Sequence, residues 1–328
     1  MRFLRRPLVA PALAVAMLLA ACSAGASPSP SAAPSTAAPT FVAEAATYEI
    51  VVDRPARVLV ALLTTDQLWV SFGSVTFSFA YAGDGTDATP APVEMADVTA
   101  QFLPIPGTPA GSGQATAITY PADGHGLYAA DGVVFPVAGF YQVLARGELA
   151  DGTDVAAVTA FQVLAKPTVP SIGDPAPNTD NAVIGDPGVP NVALDSRASG
   201  DNPIPDPDLH RVSIADALAA GVPALVVFST PVYCVSQFCG PITDMVADLA
   251  TEYADRADFI HVEIYRDFEA EELNPTVIEW LARPDGSFRE PWVFLIGADG
   301  TIIGSWDTMV TRGEIEPMLE ALPPLAGG

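Results

Sequence analysis

Residues 223–241 read PALVVFSTPVYCVSQFCGP. Pro223 to Phe228 is a continuous apolar run, the pattern of a strand buried on both faces. Pro241 suits the first position of a helix, where the missing N–H costs nothing. Beyond it Ile242, Met245, Val246, Leu249 and Tyr253 recur at helical spacing and define one apolar face. The stretch therefore predicts a buried strand, a loop and an amphipathic helix, with Cys234 and Cys239 at the junction. Five residues apart inside a regular helix, the two thiols could not bridge. With the helix starting at Pro241, both fall in the loop before it and a disulfide becomes feasible. Cys239 then lies beside the helix N-terminus, where backbone N–H groups and the dipole favour a thiolate. This geometry makes Cys239 the expected nucleophile and Cys234 the expected resolving thiol.

The same pattern extends over residues 209–325. Ser213 caps a short helix, IADALAA, that stops at Gly221. Phe259 to Ile264 reads as a second strand and Pro275 to Leu281 as a helix. Trp292–Ile296 and Thr301–Trp306 form a hairpin around Asp299–Gly300, and Gly313–Leu322 is a closing helix. Upstream, residues 166–208 are rich in Pro, Asp, Gly and Asn and read as a linker that wraps onto the next domain. Residues 41–165 change to a period of two. Val58, Val60 and Leu62 share a face, as do Val75, Phe77, Phe79 and Tyr81, and later Val155, Ala157, Thr159, Phe161 and Val163. Short strands between Gly, Asp and Pro clusters imply an all-β sandwich. The fold class expected is thus multidomain, all-β first and α/β second.

The first forty residues carry no such pattern. Arg2, Arg5 and Arg6 precede an apolar run over 7–21, the length of an export signal and too short to span a bilayer. Residues 23–40 are Ser, Pro, Ala, Gly and Thr with little large apolar surface, and read as a disordered tether.

Three resemblances sharpen this reading. Leu19-Ala20-Ala21-Cys22 resembles the lipobox of bacterial lipoproteins. It implies cleavage before Cys22, acylation of that residue and a lipid anchor on the extracytoplasmic face of the cell membrane, with residues 1–22 as signal peptide and lipobox. Ala138-Gly139-Phe140-Tyr141-Gln142-Val143 resembles the G-x-Y-x-C of immunoglobulin-like domains, with Val143 where the family has cysteine. It implies that Tyr141 ties down a corner. The order β-α-β-α-β-β-α after residue 209, together with Val226-Val227-Phe228 and Phe238-Cys239-Gly240-Pro241, resembles the thioredoxin fold and its W-C-G-P motif. Pro291 stands where that family places a cis-proline facing the thiols, and would present backbone to a substrate chain. Ile242 replaces the second thioredoxin cysteine, so the pair here is C-x4-C. Glu290, beside Pro291, is expected to oppose thiolate formation.

The resemblance implies thiol–disulfide exchange with protein thiols or disulfides as partners, and no cofactor. Four alternatives stay open. The pair is also what a structural staple in an exported protein looks like. Some peroxiredoxins place a resolving cysteine at this spacing, but Pro231 takes the place of a required residue. Exported copper chaperones use C-x3-C and a distant His. His125, His210 and His261 are the chain's histidines, and His261 reads as a structural strand residue. Finally, the chain could be a binding module in which the β domain supplies the interaction. A net charge of −25 and a pI near 4.1 argue against nucleic acid as partner. Acidic residues such as Glu263, Asp267 and Glu269 read as solvated surface.

Overall fold

In the computed structural model residues 40–86, 91–198, 200 and 202–325 are described. The segments expected to be an export signal and a tether, with Cys22, lie outside them up to residue 39. No helix among the described residues is long and apolar enough to cross a membrane.

The period-two segments become strands: β1 (Phe41–Ala45), β2 (Ile50–Val51), β3 (Pro55–Thr64), β4 (Trp69–Ser71), β5 (Ser74–Gly83), β6 (Val98–Pro104), β7 (Ala117–Thr119), β8 (Gly126–Val134), β9 (Gly139–Glu148) and β10 (Asp154–Leu164). Hydrogen bonding links them into one ten-stranded sheet, ordered β2-β10-β9-β5-β6-β8-β3-β4-β7, with β1 paired to β3. The long ladders are antiparallel; β9 and β10, for example, place Tyr141 opposite Phe161 and Ala145 opposite Ala157. Alternation then sends Val155, Ala157, Phe161 and Val163 inward while Ala156, Ala160 and Gln162 face out. The inner faces meet in an aromatic core in which Phe135 packs edge-on against Phe79, Tyr141 and Phe161. The Tyr141 hydroxyl donates to the Val137 carbonyl at 3.0 Å, tying the β9 corner.

A second, four-stranded sheet is built from β11 (Ala224–Ser229), β12 (Asp258–Glu263), β15 (Trp292–Ile296) and β16 (Ile302–Asp307), in the order β12-β11-β15-β16. A small hairpin of β13 (Tyr265–Asp267) and β14 (Glu272–Leu273) follows β12. β11 and β12 run parallel, while β15 is antiparallel to both β11 and β16. Four helices accompany this sheet: α1 (Ile214–Ala220), α2 (Cys239–Glu252), α3 (Pro275–Leu281) and α4 (Arg312–Ala321). Ser213 and Asp216 close a capping box on α1, and Gly221 ends it at φ 65°, a left-handed conformation that glycine adopts without strain. Every residue of β11 is buried, as its unbroken apolar run requires.

The two sheets share a core. Val58, Val60 and Leu62 of β3 point into the β-part interior. Leu59, Ala61 and Leu63, on the opposite face, join Leu225, Val227, Ile242, Met245 and Leu249 of the α/β part. The described residues accordingly form a single compact unit. The segment after β10 lies against the α/β part along its length. Pro175 bridges Thr301, the Trp280 indole N–H donates to Thr179 Oγ1 at 2.9 Å, and the Ile214 N–H donates to Asn181 Oδ1 at 2.7 Å.

Candidate functional site

The site lies where β11 ends and α2 begins. Cys234 and Cys239 are joined by a disulfide, with Cα atoms 6.1 Å apart, a separation that a bridge accommodates. One expectation needs correction: α2 starts at Cys239, two residues before Pro241. The early start is permitted because the first turn has no intrahelical acceptors for its N–H groups, so a proline there breaks no bond. Cys239 is therefore the first residue of the helix rather than a loop residue, and Cys234 alone lies in the loop.

The two sulfurs differ in access. Cys239 has 0% of its surface exposed, whereas Cys234 is half-buried and its neighbour Val235 is 99% exposed. Cys234 Sγ lies 3.1 Å from Ser236 Oγ. Cys239 Sγ lies 3.5 Å from Glu290 Oε2. That same carboxylate oxygen accepts the Thr230 N–H at 2.7 Å.

Burial pushes the Glu290 carboxyl up to about 8; the Thr230 N–H pulls the other way and the nearby Glu263 charge adds to the rise. At neutral pH Glu290 is thus largely a neutral acid. The expected opposition between a Glu290 charge and a thiolate gives way to a proton source 3.5 Å from the buried sulfur.

Glu290–Pro291 is a cis peptide bond, at the position marked from the sequence. The backbone around it is already engaged. The Pro291 carbonyl accepts the Thr308 N–H at 3.0 Å, and the Glu290 carbonyl accepts the Tyr48 hydroxyl. The role foreseen for Pro291, offering backbone to a partner chain, therefore has competition from within the protein.

In front of Cys234 opens a cleft of about 720 Å³ between the β part and the α/β part. Tyr48, Trp69, Phe238, Arg283 and Glu290 are among its walls. On its rim Tyr233 stacks on Phe268 with ring centroids 3.7 Å apart, and Tyr265 meets Phe268 edge-on. The strand-proximal strap 46–49 holds this wall in place. The Tyr48 and Glu49 N–H groups both donate to Asp307 Oδ2, and Arg283 donates to the Tyr48 carbonyl at 2.7 Å.

Sequence reasoning missed Tyr48 because it stands in the β part, nearly two hundred residues from the cysteines. It also misread Glu263, which is 1% exposed rather than solvated. Glu263 closes β12, and the Ser196 and Ile264 N–H groups donate to it at 2.7 and 3.0 Å. Those partners satisfy a carboxylate that would otherwise be costly to bury. Its position at the end of an apolar strand run was the available signal.

No protein-family model, curated protein or solved structure matches this chain.

Proposed function

We propose that the chain is a membrane-tethered, extracytoplasmic thiol–disulfide exchange protein acting on protein thiols and disulfides. In this reading a lipid on Cys22 supplies the tether. The α/β part is thioredoxin-like, a reading supported by the order β11-α2-β12-α3-β15-β16-α4 and by the parallel pairing of β11 with the edge strand β12. The β part is immunoglobulin-like, a reading supported by the Tyr141 corner bond.

One observation carries the functional reading: a disulfide with one accessible sulfur, Cys234, and one buried sulfur, Cys239, at a helix start beside a protonated carboxyl. Access reverses the roles expected from sequence. A partner thiolate reaches the Cys234 sulfur and attacks it, forming a mixed disulfide while the Cys234–Cys239 bond breaks. Cys239 leaves as a thiolate, favoured by the N-terminus of α2. Glu290 gives that thiolate its proton and becomes a carboxylate. A second partner thiolate then attacks the partner's sulfur in the mixed disulfide. The partner's disulfide forms, and Cys234 is released as a thiolate. Reduction of a partner disulfide is the same path run backwards.

The test is the reduction potential of the pair, read by alkylation mass shifts in redox buffers, with trapping by single-cysteine variants. A potential above about −250 mV agrees with an exchange protein. Cys239→Ser should then accumulate mixed disulfides on Cys234, and Cys234→Ser should accumulate none. A potential below about −300 mV would mark a structural staple and shift the function to a binding module.

A further inference from the structure

A second group of chemistry-bearing residues gathers at β12, and none of its members lines the cleft. Asp195, His210 and His261 are 0%, 1% and 2% exposed. One donor atom from each lies within 4.8 Å of the other two. They come from three places in the chain: the linker between its 3-10 turns Asn191–Ala193 and Ser196–Ala198, the end of the turn Pro207–His210, and the middle of β12.

Three of their four ring nitrogens are not satisfied by protein. Neither ring nitrogen of His210 has a hydrogen-bond partner, and nor does Nδ1 of His261. Buried nitrogens in that state are costly and call for an explanation. His210 Nε2 stands 3.7 Å and His261 Nδ1 3.6 Å from the same oxygen, Asp195 Oδ2. Both separations are too long for hydrogen bonds. They are close to what one ion imposes, since donors about 2.1 Å from a tetrahedral ion sit about 3.4 Å apart.

The surroundings are those of metal ligands. His261 Nε2 lies 3.0 Å from the Ser229 carbonyl, which fixes the proton on Nε2 and leaves the Nδ1 lone pair facing Asp195. Arg197 grips Asp195 with three N–H groups: its backbone N–H at 2.9 Å and Nε at 3.0 Å from Oδ1, and Nη2 at 2.7 Å from Oδ2, with Nε shared at 3.2 Å to Oδ2. Three donors on about four lone-pair sites orient Asp195 and leave one site, on Oδ2, toward the two imidazoles.

We propose that Asp195, His210 and His261 form a binding site for a divalent transition metal of the zinc class. Two imidazoles and a carboxylate suit Zn²⁺. The site departs from the reading of His261 as a plain strand residue. Its ion would clamp the linker onto β12. Ser196, next to Asp195, accepts the Val232 N–H through its hydroxyl at 3.1 Å, so the clamp reaches the loop that carries Cys234.

The experiment uses the purified full chain in detergent, stripped with a chelator and then equilibrated with Zn²⁺. Elemental analysis should find about one zinc per chain, and the thermal midpoint should rise with zinc. The Cys234→Ser/Cys239→Ser double variant should keep its zinc, which separates this site from the thiols. His210→Phe should lose the zinc and the zinc-dependent rise. The phenylalanine variant also guards against misfolding as an explanation. If no ion binds, replacing a partnerless buried imidazole by an apolar ring should leave stability equal or higher. The proposal is overturned if the wild type retains no zinc, if zinc disappears only with the cysteines, or if His210→Phe is as stable in zinc as the wild type.

Discussion

Glu290 sets the pH behaviour of the site through one atom. Its Oε2 touches both Cys239 Sγ and the Thr230 N–H, and burial raises its pKa from 4.5 to about 8. The folded chain therefore holds this proton more tightly than the unfolded chain. Below about pH 4.5 the proton is bound in both states and the contribution is fully present; it falls as pH rises to about 8 and then levels. Asp307, raised to about 6 chiefly by burial, adds a shallower loss in the same direction. Urea midpoints of the oxidised protein should thus decline between about pH 5 and 8, and Glu290→Gln should remove most of that decline. An unchanged slope in the variant would remove Glu290 from the account. The residue was visible in the sequence, but its protonation was not, because desolvation depends on what the fold packs around it.

At the scale of elements, local rules wrote α1 and α3 nearly residue by residue. Ser213 accepts the Asp216 N–H at 3.1 Å, and Asp216 reaches back to Ser213, so the cap is complete within four residues. Ser213→Ala should lower stability by about 1 kcal/mol in urea unfolding, and Ser213→Thr by much less. A loss no larger in alanine than in threonine would mean that the hydroxyl does not hold the helix. Asn274 and Pro275 start α3 in the same local manner, with the Thr276 N–H donating to Asn274 Oδ1 at 3.1 Å. The start of α2 followed another logic. Pro241 was a fair signal for its first position, yet the helix begins two residues earlier at Cys239, beside the buried Phe238.

At the scale of the whole molecule, β3 is the shared element. Its even-numbered residues 58, 60 and 62 fill the β core, and its odd-numbered residues 59, 61 and 63 fill the α/β core. Leu59 has 0% exposure, so Leu59→Ala should cost about 2–5 kcal/mol. Because the core is common, calorimetry should show one transition moving as a unit. The four tryptophans make this legible by fluorescence, with Trp69 in the β part and Trp280, Trp292 and Trp306 in the α/β part. Two separate transitions, one of them untouched by the substitution, would contradict a common core. The same joint fastens charges across the parts: Arg57 of β3 pairs with Asp131 of β8 at 2.6 Å and with Glu314 of α4.

Sequence alone placed the helices and main strands after residue 209 to within two residues, because hydrophobic period, caps and turn dipeptides act within a few residues, but it did not mark β1, β6, β7, β8 or the β13–β14 hairpin. The run Arg57-Val58-Leu59-Val60-Ala61-Leu62-Leu63 even held the sign of a strand buried on both faces, though only one face was read from it. Tertiary structure alone decided which cysteine meets solvent, that Glu290 is an acid, that Glu263 is buried, and that Asp195 stands between two histidines. Each of these is a matter of what surrounds a side chain, and the surroundings come from segments tens to hundreds of residues away. Charge, access and protonation are properties of that packing, and no local pattern encodes them.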